Sequence, residues 1–454
     1  MKLRLQITLI LLICVYKASY TQWFYQNVPQ GIGIALTIDF TNLQNGAAGG
    51  WILLNVPTGR ALYSTNSGLN WNFAQIPDSS RALVTLQLLN LQTGYCAGAY
   101  NTDSVSRLKR EKLYTFKDIS VNLRYRNFMR VNIAMDGMEF YKGLFLKTTN
   151  GGQSWNTYGT LPSNVYYLIG LHFLNLSTGY ATASLQYPIG TAGILKTSDG
   201  GLTWSTLPIP NSIFQLSNIY FTDINTGFAV GWLQNPRGVI LRTSNAGVNW
   251  SMQTIILVDN FTDIHFTNAS TGFITGVDTN FYGVVYKTTN AGLNWFRTSM
   301  QLDGYIFYGV EFLNSTGTGI VHGKRGDSTI LISKTTNYGI NWNNYTFNDD
   351  ALLIGSKLID LNNWYVSGGN VLNRAIILHT TNGGAIAIKP ISSEIPNKFK
   401  LHQNYPNPFN PITKIKFDLP YVETIQELPL QLIFYDVLGR EVTTLFNKEL
   451  KAGS

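Results

Sequence analysis

Ser64-Thr65-Asn66-Ser67-Gly68-Leu69-Asn70-Trp71 is the stretch on which the fold turns. Its pattern, Thr/Ser-x-Asn/Asp-x-Gly-x-Asn/Thr/Ser-Trp, returns at Thr148 to Trp155, Thr197 to Trp204, Thr243 to Trp250, Thr288 to Trp295 and Thr335 to Trp342. A seventh copy, Thr380-Thr381-Asn382-Gly383-Gly384, stops short of its Trp. The chemistry of such a stretch is local. An Asn or Asp oxygen accepts backbone N–H groups inside a turn, and the Ser or Thr hydroxyl adds a second side-chain bond. Gly supplies the positive φ that the turn needs. The Trp packs under the hairpin, and its burial contributes roughly 1.5–3 kcal/mol or more. We therefore read Asn66, Asn150, Asp199, Asn245, Asn290, Asn337 and Asn382, with Trp71, Trp155, Trp204, Trp250, Trp295 and Trp342, as structural repeat positions.

A second motif, Phe/Leu-x-Asn/Asp-x-x-Thr-Gly-aromatic, precedes each copy of the first. Clear examples start at Leu88, Phe173, Phe221 and Phe266, and looser ones at Phe40, Phe312 and Leu358. The period is about 45 to 48 residues, broken once by an insertion at about residues 101–140. Each unit predicts four short strands, which is the blade of a β-propeller, and seven units fit a closed ring. The segment Trp23-Phe24-Tyr25-Gln26-Asn27-Val28-Pro29 matches Trp71-Asn72-Phe73-Ala74-Gln75-Ile76-Pro77 in its Trp-to-Pro spacing. Trp23 is therefore expected to supply the indole missing from the seventh unit, closing the last blade with an N-terminal strand and covering its open edge.

The first motif resembles the Asp-box, or bacterial neuraminidase repeat, which in that family forms a hairpin turn on the blade periphery. The paired motifs resemble the propeller of the photosystem II assembly-factor type and, more weakly, the sortilin and sialidase types. The resemblance implies an all-β, seven-bladed propeller over residues 22–388. Six copies carry Asn where the family often has Asp, which argues against metal binding by the box. A basic residue precedes most copies: Lys147, Lys196, Arg242, Lys287 and Lys334, with His379 in the last. It reads as a basic circle on one rim or as a solvated strand position repeated by duplication.

Charged residues are 13% of the 454-residue chain and aromatics 13%, which excludes a highly charged disordered protein. The net charge of +8 alone assigns no partner. Lys2 and Arg4 precede an apolar run too short to span a membrane, and residues 1–21 read as a signal peptide. Cys96 is then the one cysteine left, which excludes a disulfide framework. No transmembrane segment is expected in the mature chain.

Candidate binding residues sit just before each second-motif start: Asp39, Gln87, His172, Tyr220, His265, Glu311 and Lys357. All are polar. Strand alternation places them opposite the Phe or Leu set, facing a central channel if this strand is innermost. The ring reads as a ligand site or as a hydrated channel wall. His172 and His265 share a repeat position, which raises a two-His metal site as an alternative, but no metal and no cofactor is assigned. The insertion carries Arg107, Lys109, Arg110, Lys112, Lys117, Arg124, Arg126 and Arg130, and reads as a basic lid for an anionic partner or as a solvated loop. Its interleaved aromatics suit single-strand stacking, but export makes nucleic acid an improbable partner.

Because propellers with this box include glycosidases, hydrolysis is the main alternative to binding. A glycosidase uses two carboxyl groups across a cleft. Asp136, Glu139, Asp263 and Glu311 are present, but nothing in the sequence pairs them, and no arginine set occupies matching blade positions. No zinc motif, phosphate loop or nucleophile elbow occurs. A non-enzyme is expected.

Residues 389–398 read as a linker. Beyond them stand Gln403-Asn404-Tyr405-Pro406-Asn407-Pro408-Phe409-Asn410-Pro411 and Tyr435-Asp436-Val437-Leu438-Gly439-Arg440-Glu441-Val442. This segment closely resembles the C-terminal sorting domain of type IX secretion substrates, an immunoglobulin-like β-sandwich, and it ends at Ser454, about halfway through that module. The resemblance implies export by the type IX machinery to the outer-membrane surface or beyond in a Gram-negative bacterium. The expected function is a secreted, monomeric binding or scaffold module for a protein or glycan. Glycoside hydrolysis and, by fold analogy, an assembly-factor role are the alternatives.

Overall fold

The computed structural model describes residues 23–53, 57–101, 141–185, 191–235, 237–302, 305–325, 329–370 and 372–384, with four tail strands at 400–401, 417–418, 430–435 and 441–448. The segments expected to be a signal peptide, a basic insertion with Asp136 and Glu139, and a linker lie outside the described residues. Two compact units emerge, one within Thr21–Gly384 and one that holds the tail strands.

The first unit is a seven-bladed propeller with no helix among its described residues. Six blades are consecutive four-stranded antiparallel sheets, spanning 34–73, 80–157, 167–207, 213–255, 258–302 and 305–348. The seventh combines Ala351–Leu358, Trp364–Asn370 and Arg374–Thr380 with the N-terminal strand Phe24–Tyr25. Phe24 pairs with His379 and Tyr25 with Leu378, and the Gln26 N–H donates to the Ile377 carbonyl at 2.8 Å. Trp23 is 3% exposed and lies 6.4 Å from the Trp364 ring. The orphan strand closes the ring as its spacing predicted.

Both motifs have visible physical causes. In every copy of the first, the Ser or Thr hydroxyl accepts the Gly N–H four residues on at 2.9–3.0 Å. In the six full copies the Asn or Asp oxygen accepts the N–H four residues beyond it at 2.9–3.0 Å. That Gly and the residue before it are both left-handed, as at Ala246 (φ 58°) and Gly247 (φ 85°).

In the second motif the Gly makes room for a ring. A Cβ at Gly227 would lie 2.4 Å from the Phe221 ring, and one at Gly319 equally close to Phe312. The aromatic after the Gly then stacks on the next blade's Phe: Tyr95 on Phe173 at 4.1 Å, Tyr180 on Phe221 at 3.7 Å, Phe228 on Phe266 at 4.4 Å and Phe273 on Phe312 at 4.0 Å. The series closes with Tyr365 of blade 7 on Phe40 of blade 1 at 4.0 Å. The box Trp meets the edge of the same Phe, as Trp250 does Phe221 at 6.1 Å.

The basic residue before the box is neither a free circle nor a solvated position where its bonds are described. Lys196, Arg242, Lys287 and Lys334 each donate to a box carbonyl of the next blade, those of Ala246, Ala291, Tyr338 and Gly383, at 2.7–3.2 Å. The acceptors are the carbonyls of the first left-handed residue of each box.

In the tail, Lys400–Leu401 pairs antiparallel with Phe417–Asp418, and Leu430–Tyr435 with Glu441–Lys448. The remainder of the expected sandwich falls outside the described residues.

Trp23→Ala should cost about 3–5 kcal/mol, since it removes a buried indole and loosens the clasp. The urea midpoint of the full chain reads this directly, and an unchanged midpoint would contradict closure by this strand.

Candidate functional site

The first strand of each blade faces the axis, because its pre-motif residues line a central cavity of about 890 Å³. All seven residues expected to form the ring line it: Asp39, Gln87, His172, Tyr220, His265, Glu311 and Lys357.

Most of their polar atoms are already engaged, and each of the seven reaches the following blade. Asp39 Oδ2 accepts the Leu88 N–H at 2.7 Å. Gln87 accepts the Phe173 N–H at 2.7 Å and donates to its carbonyl at 3.1 Å. Tyr220 donates to the Phe266 carbonyl at 3.2 Å. His172, His265 and Glu311 bond the backbones of Phe221, Phe312 and Leu358. Lys357 alone meets a side chain, with its Nζ 2.8 Å from Asp39 Oδ1. Apart from the Lys357 contact, each of these bonds ends on the second-motif start of the neighbour, so the ring stitches blade to blade as well as facing the lumen.

The lumen has two chemically different arcs. Blades 3 to 5 present rings: His172 and Tyr220 are 4.7 Å apart, Tyr220 and His265 5.2 Å. Burial lowers the His172 pKa to about 4. Burial first, then Lys357 and His172, lowers that of His265 to about 3. Both imidazoles are therefore neutral near pH 7. Blades 6, 7 and 1 present Glu311, Lys357 and Asp39. Burial above all pushes the Glu311 carboxyl up to about 8, against the pull of Lys357 and with Asp39 and Asp263 adding to it. Burial works against the Lys357 ammonium, but Asp39 and Glu311 together hold its pKa above the usual lysine value.

A second polar tier was not anticipated. Two residues before the ring position stand Thr37, Thr85, Asn218 and Asp263, which also line the cavity. Thr37 Oγ1 accepts the Leu86 N–H at 3.1 Å, and Asp263 Oδ2 accepts the Val310 N–H at 2.9 Å. Asp263 Oδ1 takes bonds from Asn218 Nδ2 and the Ile264 N–H. Burial outweighs these donors and lifts the Asp263 pKa to about 6.

Just above this tier every innermost strand carries a β-bulge, as between Leu216 and Asn218 or Phe261 and Asp263. The sequence did carry a trace of it. A Gly recurs on the second strand opposite the bulge, at Gly50, Gly98, Gly231, Gly276, Gly323 and Gly368. A Cβ at Gly231 would fall 2.0 Å from the Gln215 carbonyl oxygen. Asp263 and Glu311, unpaired in sequence, face the same cavity. No group of three or more His, Cys, Asp or Glu side chains suited to a metal ion occurs among the described residues.

No protein-family model and no curated protein matches the chain. Solved structures do resemble it. One is YCF48 bound to D1 peptide, with TM-score 0.52 and 13% identity over 80% of this chain and 98% of that one. Another is YCF48 from Cyanidioschyzon merolae, with TM-score 0.50 and 13% identity over 79% and 98%. A third is the GH74 xyloglucanase from Xanthomonas campestris, with TM-score 0.52 and 11% identity over 80% and 56%. At such identities the likeness establishes the β-propeller fold and leaves ligand and chemistry open.

The ring makes stability depend on pH in two directions. Glu311 is raised from 4.5 to about 8, so its contribution is present at low pH and is lost as pH rises through about 8. His172 and His265 are lowered from 6.5, so theirs is present above 6.5 and is lost as pH falls toward about 4 and 3. Melting temperature against pH should fall on both sides of a slightly acidic maximum. Glu311→Gln should flatten the alkaline limb and leave the acid limb in place. An alkaline limb unaltered by that change would contradict the burial of this carboxyl.

Proposed function

We propose that this chain is an exported binding or scaffold propeller for a protein or a polysaccharide, and that the central channel is its ligand site. The observation that carries the reading is the ring of seven side chains on one cavity of about 890 Å³, a size that suits a ligand or a partner's side chain. Export rests on the N-terminal run of residues 1–21 and on the type IX sorting motif of the tail, which would bring the chain to the cell surface of a Gram-negative bacterium.

The state of the carboxylates favours binding over hydrolysis. Asp39 accepts the N–H groups of Phe40 and Leu88 and pairs with Lys357. Asp263 holds three donors. Carboxylates so occupied are poorly placed to move a proton at a substrate. The solved YCF48 with a bound peptide offers a fold-level precedent for a protein ligand, and the xyloglucanase one for a glycan. An assembly-factor role rests on that fold analogy alone.

Glycoside hydrolysis has one observation in its favour. Asp263 and Glu311 share the cavity with pKa values pushed apart, to about 6 and about 8, the kind of pair from which an acid and a base are made.

Arrays of peptides and neutral and acidic polysaccharides, probed with the full chain, test both readings. Saturable binding without release of reducing ends is expected. Polysaccharide turnover that Glu311→Gln abolishes would replace the binding role with an enzymatic one.

A further inference from the structure

The channel changes character toward the end where the innermost strands begin. Five of the residues that the bulges add there are apolar and line the cavity: Leu36, Val84, Ile169, Tyr308 and Ile354. On blades 1 and 2 this wall continues through two cross-strand pairs, Ile34 with Trp51 and Ala82 with Ala99. Several polar side chains at this end are already satisfied. Ser217 donates to the Phe261 carbonyl at 2.7 Å and Thr262 to Thr275 Oγ1 at 2.9 Å. Asn218 donates to Asp263, and Thr37 accepts the Leu86 N–H. Hydrocarbon covers such groups without breaking a bond, whereas the hydroxyls of a sugar would compete for atoms already taken. Arg81, in the first strand of blade 2, lines the cavity beside Ala82. Its Nη1 donates to the Asp78 and Ser80 carbonyls at 3.1 and 3.3 Å, which fixes the guanidinium and leaves Nη2 unused. No carboxylate pairs with it among the described residues.

We propose that the channel mouth between blades 1 and 2 receives an apolar carboxylate, its hydrocarbon against Leu36, Trp51 and Val84 and its charge on Arg81. The carboxylate belongs to a free acid or to the C-terminal residue of a partner protein. This inference rests on the reading of the channel as the ligand site and names what that site recognises. A guanidinium offers planar N–H donors that match the two oxygens of a carboxylate. The hydrocarbon gains by leaving water for the apolar wall. A phosphate would bring a second charge, and the other cation among the described lining residues, Lys357, is already held by Asp39.

The carboxylates of the cavity itself stand too far along the channel to repel this charge. Asp39 and Glu311 belong to the ring, which lies six residues along the innermost strands from the level of Arg81, roughly 15–20 Å. That exceeds the screening length of about 8–10 Å near physiological salt. Asp263 stands nearer in level, but it is three blades round from Arg81 and its oxygens hold three donors. Binding at the mouth therefore depends on the ligand's negative charge and on Arg81, and is independent of Lys357 in the ring below.

The experiment is calorimetry on the full chain with sodium isocaproate and with N-acetyl-Gly-Leu carrying a free carboxylate, each compared with its amide. Saturable binding of the acids is expected, weakened at least about tenfold by amidation and by Arg81→Gln, and weakened by added salt. Arg81→Lys, which keeps the charge and loses the planar fork, should fall between. The comparison of acid with amide uses the unsubstituted chain, so it stands even if a variant fails to fold. Binding of isocaproate alone points to a free acid, and binding of the peptide to a chain terminus. The proposal fails if neither acid saturates by about 10 mM, if the amides bind as well as the acids, or if acetate binds as tightly as isocaproate. It fails equally if galacturonate binds in preference to both acids, or if Lys357→Gln removes binding that Arg81→Gln leaves intact. A macromolecule found on the arrays while neither acid binds would sink this inference and spare the binding function. Acid binding that Arg81→Gln removes, with no array ligand, would do the reverse.

Discussion

The structure depends on one recurring contact, made at five of the seven blade junctions: an aromatic at the start of a blade's second strand stacks on the Phe of the next blade. A four-stranded sheet cannot bury both faces by itself, and a single blade has no independent core. The core clusters accordingly mix neighbouring blades: Tyr180 of blade 3 sits with Phe221 and Trp250 of blade 4, and Tyr365 of blade 7 with Phe40 and Trp71 of blade 1. The Gly of the second motif is what lets the Phe lie flat against the backbone and reach its neighbour. Stability of the unit is then a sum of interfaces around a ring, and an open ring would leave one of them unmade and two blade faces uncovered.

Closure therefore matters more than any one blade. It is made twice, at different radii. On the outside, Phe24 and Tyr25 complete the last sheet and Trp23 fills the place under its box. On the inside, blade 7 meets blade 1 through the Tyr365 stack, the Tyr365 hydroxyl on the Ser67 carbonyl at 2.9 Å, and the Lys357–Asp39 pair. The inner pair is the one place where the ring uses opposite charges in place of a backbone partner.

The channel residues carry two loads at once. Asp39, Gln87 and Tyr220 hold the next blade in register, so their types are constrained by folding before any ligand is considered. What folding leaves over is uneven: a neutral ring arc on blades 3 to 5 and a charged arc on blades 6, 7 and 1. That unevenness gives the lumen a chemistry which a uniform hydrated wall would lack.

The sequence alone determined the repeat, the seven blades and the displaced first strand, because short-range turn chemistry and the Trp-to-Pro spacing are written within a few residues of each other. It also placed the seven polar residues before Phe40, Leu88 and their equivalents on the axial face, since alternation along a strand is a local rule. It did not reveal that those side chains bond the following blade, that a bulge brings Asn218 and Asp263 into a second tier, or that Lys196 and Lys334 reach carbonyls about 50 residues away. Those facts arise from the rotation between adjacent blades, which no single repeat encodes. Tertiary structure decided which polar atoms were consumed by neighbours and which were left facing the lumen, and a binding site is made of the latter.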